Sequence, residues 1–207
     1  MRGEKKIYTD VDGVLLNMNK AFWGAVQKVV GPAWGTVEHW DYRQTAGISE
    51  QKEKEVWKEI WNTPLELFPC GRDIVEYIRK NEIPAMAVSV RPEGEAFKAA
   101  KRDFHKLRMD WQTFGSHKTK EAFVLRRAEF DPGEILYIED NWGMADRVSR
   151  AGVKTILVNQ PYNSSKDLDV KYIRLLHHEV APYIHAWVNE EVYGYQDSNS
   201  RRTYPVS

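Results

Sequence analysis

Polar residues able to do chemistry stand where three short apolar runs end. Asp10, Val11, Asp12 and Gly13 follow Ile7–Thr9; Ser89, Val90 and Arg91 follow Ala85–Val88; Glu139, Asp140 and Asn141 follow Ile135–Ile138. If these runs are strands of one parallel sheet, their carboxyl ends open on a common crevice, where ligands bind in open α/β sheets. Four carboxylates and a hydroxyl then share that crevice. Carboxylates so crowded repel one another unless a cation or a proton intervenes. Mg²⁺, which takes oxygen ligands and keeps part of its water, suits such a set.

The elements that must position these groups alternate along the chain. A fourth apolar run, Val153–Val158, and a short edge candidate, Trp111–Phe114, complete the strands. Helical spacing marks Asp73–Lys80, Glu93–Leu107, Thr119–Ala128 and Trp142–Ala151, the last stopped by Gly152. Continuous apolar strands alternating with helices predict an α/β fold, a Rossmann-like parallel sheet with helices on both faces.

One stretch interrupts the alternation. Between the first strand and Pro69 there is no strand pattern, and five of the eight tryptophans fall there. Asn17–Val30 reads as a helix stopped by Gly31-Pro32, and Ser49 caps a second helix from Glu50 to Trp61. The expected organisation is a core of residues 1–16 and 70–193 with a small helical cap, 17–69, inserted after the first strand. Lys171–Val192 reads as a terminal helix, and 194–207 as a flexible polar tail. Trp23, Trp57 and Trp61 lie on amphipathic faces and read as cap core. Trp34, Trp40 and Tyr42 lie in its irregular part and are the candidates to stack on a nucleobase.

Composition narrows the class. The 207 residues carry 30 Lys plus Arg and 30 Asp plus Glu, a net charge of zero, which argues against nucleic-acid clamping by bulk charge. The single cysteine, Cys70, points to a reducing, cytoplasmic setting and removes any cysteine-rich metal site. No apolar run approaches the ~20 residues of a membrane span. The basic start, Met1–Lys6, leads into a stretch broken by Asp10 and Asp12 and does not read as a signal peptide.

Ile7-Tyr8-Thr9-Asp10-Val11-Asp12-Gly13-Val14 resembles the first motif of the haloacid dehalogenase-like phosphohydrolases, an apolar strand ending in Asp-x-Asp. Ser89 resembles the second-motif Ser/Thr, Lys118 in His117-Lys118-Thr119 the third-motif lysine, and Tyr137-Ile138-Glu139-Asp140 the fourth-motif acidic pair. All four occur in order between about Lys5 and Val158. The resemblance implies that Asp10 is a nucleophile forming an aspartyl-phosphate and that Asp12 is the general acid and base. It further implies Mg²⁺ held by the Asp10 carboxylate, the Asp12 backbone carbonyl and Asp140. Ser89 and Lys118 would hold the phosphoryl oxygens, with Val11 and Gly13 in the loop beneath them. Arg91 reads either as a further phosphate contact or as a surface arginine.

Three positions depart from that pattern. Glu139 replaces an aspartate and is expected behind the metal rather than on it; Met144 stands where many relatives have a further acid; and Lys120 competes with Lys118. Lys118 is preferred because Lys-Thr resembles the nucleotidase members. His177, His178 and His185 lack zinc-motif spacing, and Asn163-Ser164-Ser165 matches a glycosylation acceptor without meaning in a cytosolic chain.

The aromatic-rich helical insertion and the Lys-Thr motif resemble 5′(3′)-deoxyribonucleotidases, which implies a Mg²⁺-dependent phosphomonoesterase acting on nucleoside 5′-monophosphates. A phosphatase of nucleic-acid 3′ ends or of another small ester is the rival. Its support is a basic helix face of Lys98, Arg102 and Lys106, but Asn17–Pro69 carries six basic against seven acidic residues and makes no basic groove. The remaining alternative is a phosphate-binding module without turnover. No membrane partner is expected, and the oligomeric state stays open.

Overall fold

The computed structural model describes residues 4–33, 35–39, 41–63, 66–91, 98, 101, 104–105, 109–129, 132–163, 172–191, 193–196 and 201–204. Six strands form one sheet: β1 (Lys6–Thr9), β2 (Ala85–Ser89), β3 (Asp110–Thr113), β4 (Ile135–Glu139), β5 (Lys154–Val158) and β6 (Ile173–Leu175). The order is β3-β2-β1-β4-β5-β6, and every pair is parallel. β1 is central: Thr9 pairs with Ala87 on one side and with Ile138 on the other. The residues just beyond β1, β2 and β4 are therefore neighbours in space.

Both sheet faces are covered, as the apolar runs predict. On one face α4 (Pro69–Lys80) and α7 (His177–Asn189) bury Ile74, Ile78, Val180, Tyr183 and Trp187 against Ile7, Leu136 and Ile156. On the other, α5 (His117–Ala128) and α6 (Trp142–Arg150) bury Val124, Met144 and Val148 against Tyr8, Val88 and Tyr137. Each fully buried large apolar side chain contributes roughly 1.5–3 kcal/mol.

The insertion consists of α1 (Met18–Val29), α2 (Tyr42–Ala46) and α3 (Glu50–Asn62), capped by Asn17, Asp41 and Ser49. Its apolar side chains form a separate cluster, with Phe22, Val26, Val56 and Ile60 fully buried. The chain enters and leaves it through paired backbone. Asn17 N–H donates to Glu66 O and Phe68 N–H to Leu15 O, both at 2.9 Å, around an antiparallel Leu16–Leu67 bridge. Gly71 allows this closeness, since a Cβ there would lie 2.4 Å from Leu15 O.

One expectation at the C-terminal end is corrected: Ile173–Leu175 is an edge strand on β5, so the last helix begins only at His177. Within the stretch expected as a tail, β7 (Tyr193–Gln196) pairs antiparallel with β8 (Arg201–Tyr204). The helix expected over Glu93–Leu107 lies mostly outside the described residues; Lys98, Lys101, Phe104 and His105 are helical. Arg102 and Lys106 of the basic face lie outside them too. No described helix is long and apolar enough to cross a membrane.

Candidate active site

The three strand ends converge as the sequence predicts. Asp10, Glu139 and Asp140 are buried, and one ligand atom from each lies within 4.8 Å of the others, an arrangement able to hold a metal ion. Asp10 is fixed where β1 ends by its N–H bond to Ile138 O (2.7 Å). Burial, then the charge of Glu139, raises its pKa to about 8 against the opposing pull of Lys120. Burial, then the charges of Asp10 and Glu139, likewise holds Asp140 well above the ordinary aspartate range.

The lysine at this centre is Lys120, not Lys118. Lys120 Nζ lies 2.6 Å from Asp10 Oδ1 and 2.9 Å from Glu139 Oε2, and the residue is 1% exposed, whereas Lys118 is exposed on the same helix. Successive helical residues turn ~100°, so positions 118 and 120 point ~200° apart and only one can face the sheet. Lys120 shares the buried row of α5 with Val124 and Ala128 at i+4 spacing. That row was present in the sequence and is the signal that Lys-Thr obscured. Burial alone would lower the ammonium pKa, but the two carboxylates hold it above the ordinary lysine value.

Glu139 serves the lysine and the backbone. It accepts from Lys120, from the Tyr137 hydroxyl, and from the N–H groups of Asp140 (3.1 Å) and Asn141 (3.0 Å). Burial would raise its pKa, but the Lys120 charge and these donors hold it at about 2. Both of its oxygens are thus already engaged by donors.

Arg91 is buried, not a surface arginine, and grips Asp12. Nη2 donates to Asp12 Oδ1, Nε lies 3.3 Å from Oδ2, and the guanidinium covers the rings of Trp61 (4.9 Å) and Trp111 (5.8 Å). Ser89 is fully buried and accepts from Trp111 Nε1 (2.9 Å), which leaves its hydroxyl proton for another acceptor. The Gly13 N–H donates within the loop, to Leu16 O (3.1 Å), while the fully buried Val11 accepts there from Leu15 and Leu16. Gly13 instead makes room: its φ is +84°, and a Cβ would lie 2.0 Å from Asp140 Oδ2.

A cavity of about 250 Å³ opens on Asp10, Asp12 and Asp140. Its far wall is aromatic: Tyr42, Trp57 and Trp61 from the insertion, with Met18, Val90 and His117. Trp57 and Trp61 stack at 5.1 Å, and Tyr42 meets Trp57 edge-on at 5.2 Å. These two tryptophans were expected in the cap core; being half-buried, they also line the cavity. Trp34 and Trp40 lie outside the described residues. Burial, then the charges of Asp140, Asp12 and Asp10, keeps the Tyr42 phenol protonated.

The donor set fits Mg²⁺. Asp10 and Asp140 are both destabilised as free anions, and Asp140 Oδ1 is buried with no hydrogen-bond partner among the described residues. The histidines set aside for zinc make other contacts: His177 Nε2 meets Val14 O (3.1 Å) and His185 Nδ1 meets Tyr77 Oη (2.9 Å). Asn163, the supposed glycosylation acceptor, is fully buried and holds Asp140 O (2.7 Å).

No family model and no curated protein matches the sequence. Solved structures match over nearly the whole chain. A Thermotoga maritima protein provisionally named a β-phosphoglucomutase has 18% identity and a TM-score of 0.58, covering 87% of this chain and 98% of its own. CbbY from Rhodobacter sphaeroides, in complex with phosphate, has 13% identity and a TM-score of 0.55 over 86% and 96%. A HAD-superfamily hydrolase from Ehrlichia chaffeensis has 11% identity and a TM-score of 0.52 over 91% and 100%. At these identities the likeness establishes the fold that these chains share and nothing finer.

Proposed function

We propose that the chain is a Mg²⁺-dependent phosphomonoesterase working through an aspartyl-phosphate, with residues 17–69 as a cap over the reacting centre. The observation that carries this reading is Asp10, paired with the buried Lys120, opening on a cavity walled by the insertion. Asp10 attacks phosphorus as the bond to the leaving oxygen breaks, and Asp12 supplies that oxygen's proton. A water then attacks phosphorus, gives its proton to Asp12 and releases phosphate from Asp10. The longer Arg91 arm leaves Asp12 Oδ2 the freer oxygen for both transfers. Lys120 and the Ser89 hydroxyl hold phosphoryl oxygens. Asp10, Asp140 and the Asp12 carbonyl would hold Mg²⁺, which when bound would offset the repulsion between nucleophile and phosphate.

The substrate in this reading is a nucleoside 5′-monophosphate. The cavity lies below the usual ~300–1,000 Å³ of ligand pockets, which favours a small ester over a nucleic-acid end. Its aromatic wall offers flat surfaces but, among the described residues, few partners for the hydroxyls of a sugar phosphate, the alternative suggested by the Thermotoga neighbour's name. The single cysteine supports a cytoplasmic setting. Rapid quenching with phosphorus-labelled substrate should leave label on Asp10, and turnover should need Mg²⁺. A panel of nucleotides, sugar phosphates and 3′-phosphorylated oligonucleotides then ranks substrates. Absence of labelled Asp10 under turnover would remove the covalent mechanism, and absence of any turnover would favour a binding module.

A further inference from the structure

The turn after β5, Pro161–Asn163, was given no role by the sequence, yet it holds Asp140 through both side chain and backbone. The Tyr162 hydroxyl donates to Asp140 Oδ2. Asn163 Nδ2 donates to Asp140 O (2.7 Å) and Val158 O (3.0 Å), and Gln160 Nε2 donates to Gly13 O. Arg174 on β6 fixes the turn through Asn159 Oδ1 (2.8 Å) and Asn163 O (3.0 Å). The Tyr162 ring meanwhile packs against the apolar cluster of the insertion.

We infer that Tyr162 is a positioning residue for the metal site: its hydroxyl fixes the Asp140 carboxylate, and its ring ties that carboxylate to the insertion. The inference rests on the Mg²⁺ reading above. A carboxylate can rotate about its last bond and offer either oxygen. Here the phenol occupies Oδ2, so Oδ1, buried and without a hydrogen-bond partner among the described residues, is the oxygen left for the ion. Gly13 completes the device, because a Cβ there would lie 2.6 Å from the Tyr162 hydroxyl and 2.0 Å from Oδ2. A fixed carboxylate matters most for Mg²⁺, which demands near-ideal octahedral geometry, and less for Ca²⁺, which accepts irregular sites.

Tyr162→Phe removes one oxygen and keeps the ring. Mg²⁺ and Ca²⁺ affinities are read from metal-dependent thermal stabilisation and from competition with Tb³⁺ luminescence, independently of turnover. The expected result is Mg²⁺ binding weaker by ~10–100-fold, as for the loss of a partner that orients a metal ligand. Ca²⁺ binding should fall by distinctly less, and the metal-free melting temperature should stay close to wild type. Mg²⁺ affinity unchanged, or equal losses for both ions, overturns the positioning role. If wild-type protein binds no Mg²⁺, the metal reading of the function fails first; if wild type binds and the variant binds equally, only this inference fails.

Discussion

Lys120 Nζ and Asp10 Oδ1 are 2.6 Å apart, and Glu139 draws the same ammonium to 2.9 Å, so one buried cation serves two buried carboxylates. Lys120→Met leaves both without it. The expected loss in kcat/KM is ~10²–10³-fold, the usual consequence of removing one group that stabilises developing charge. Breaking a buried pair from one side also costs about 3–5 kcal/mol of stability. Lys118→Met should change neither quantity appreciably. Steady-state kinetics and denaturant melts of the two variants check the assignment, which fails if Lys118→Met is the damaged one.

The raised pKa of Asp10 has a sign that can be measured. Its folded value of about 8 lies above the ordinary 3.8, so the fold holds that proton more tightly than the unfolded chain. Metal-free protein should therefore lose stability as pH rises from about 4 to about 8. Asp140 acts in the same direction, whereas Glu139, held at about 2, loses its contribution only as pH falls below its ordinary 4.5. Melting curves from pH 5 to pH 8.5 should fall less steeply for Asp10→Asn than for wild type, and Mg²⁺ should flatten the wild-type slope. Parallel curves for the two proteins would contradict this account.

The Arg91–Asp12 pair calls for a double-mutant cycle. Arg91→Met and Asp12→Asn should each destabilise the fold, and the double variant should recover part of the loss, with a coupling of about 1.5–3 kcal/mol. Turnover should not recover, since in the proposed mechanism Asp12 carries the proton. Additive stabilities would mean that the ion pair contributes nothing beyond its parts.

Trp57→Ala tests the aromatic wall. Lost stacking of ~1–3 kcal/mol should lower kcat/KM for a nucleoside monophosphate by about five- to more than a hundredfold, and should leave glycerol phosphate largely unaffected. Equal losses on both substrates, with a lowered melting temperature, would assign Trp57 to packing of the insertion.

The inner strands were legible because they are largely buried and read as short apolar runs, which also located Asp10, Asp12, Ser89, Glu139 and Asp140 at their ends. β6 escaped because three residues, Ile-Arg-Leu, carry too little periodicity to separate from the helix that follows. Arg91 and Asp12 are 79 residues apart, and nothing local announces their meeting. Tyr162 and Asn163 stand in a short polar turn whose composition suggests only surface. Lys120 is a different case, because its i+4 row with Val124 and Ala128 carried the helix phase.

The paired backbone at Leu15–Asn17 and Glu66–Phe68 makes the chain leave the sheet and return at a single place. An excision between those points leaves no gap for the backbone to span, and a short turn in place of 18–66 would close the ring. Both sheet-facing clusters would survive, because the removed apolar side chains pack mainly among themselves. The architecture is thus that of an exchangeable head on a fixed engine. On the proposed function, what surrounds the leaving group could be replaced without rebuilding the carboxylates at the strand ends.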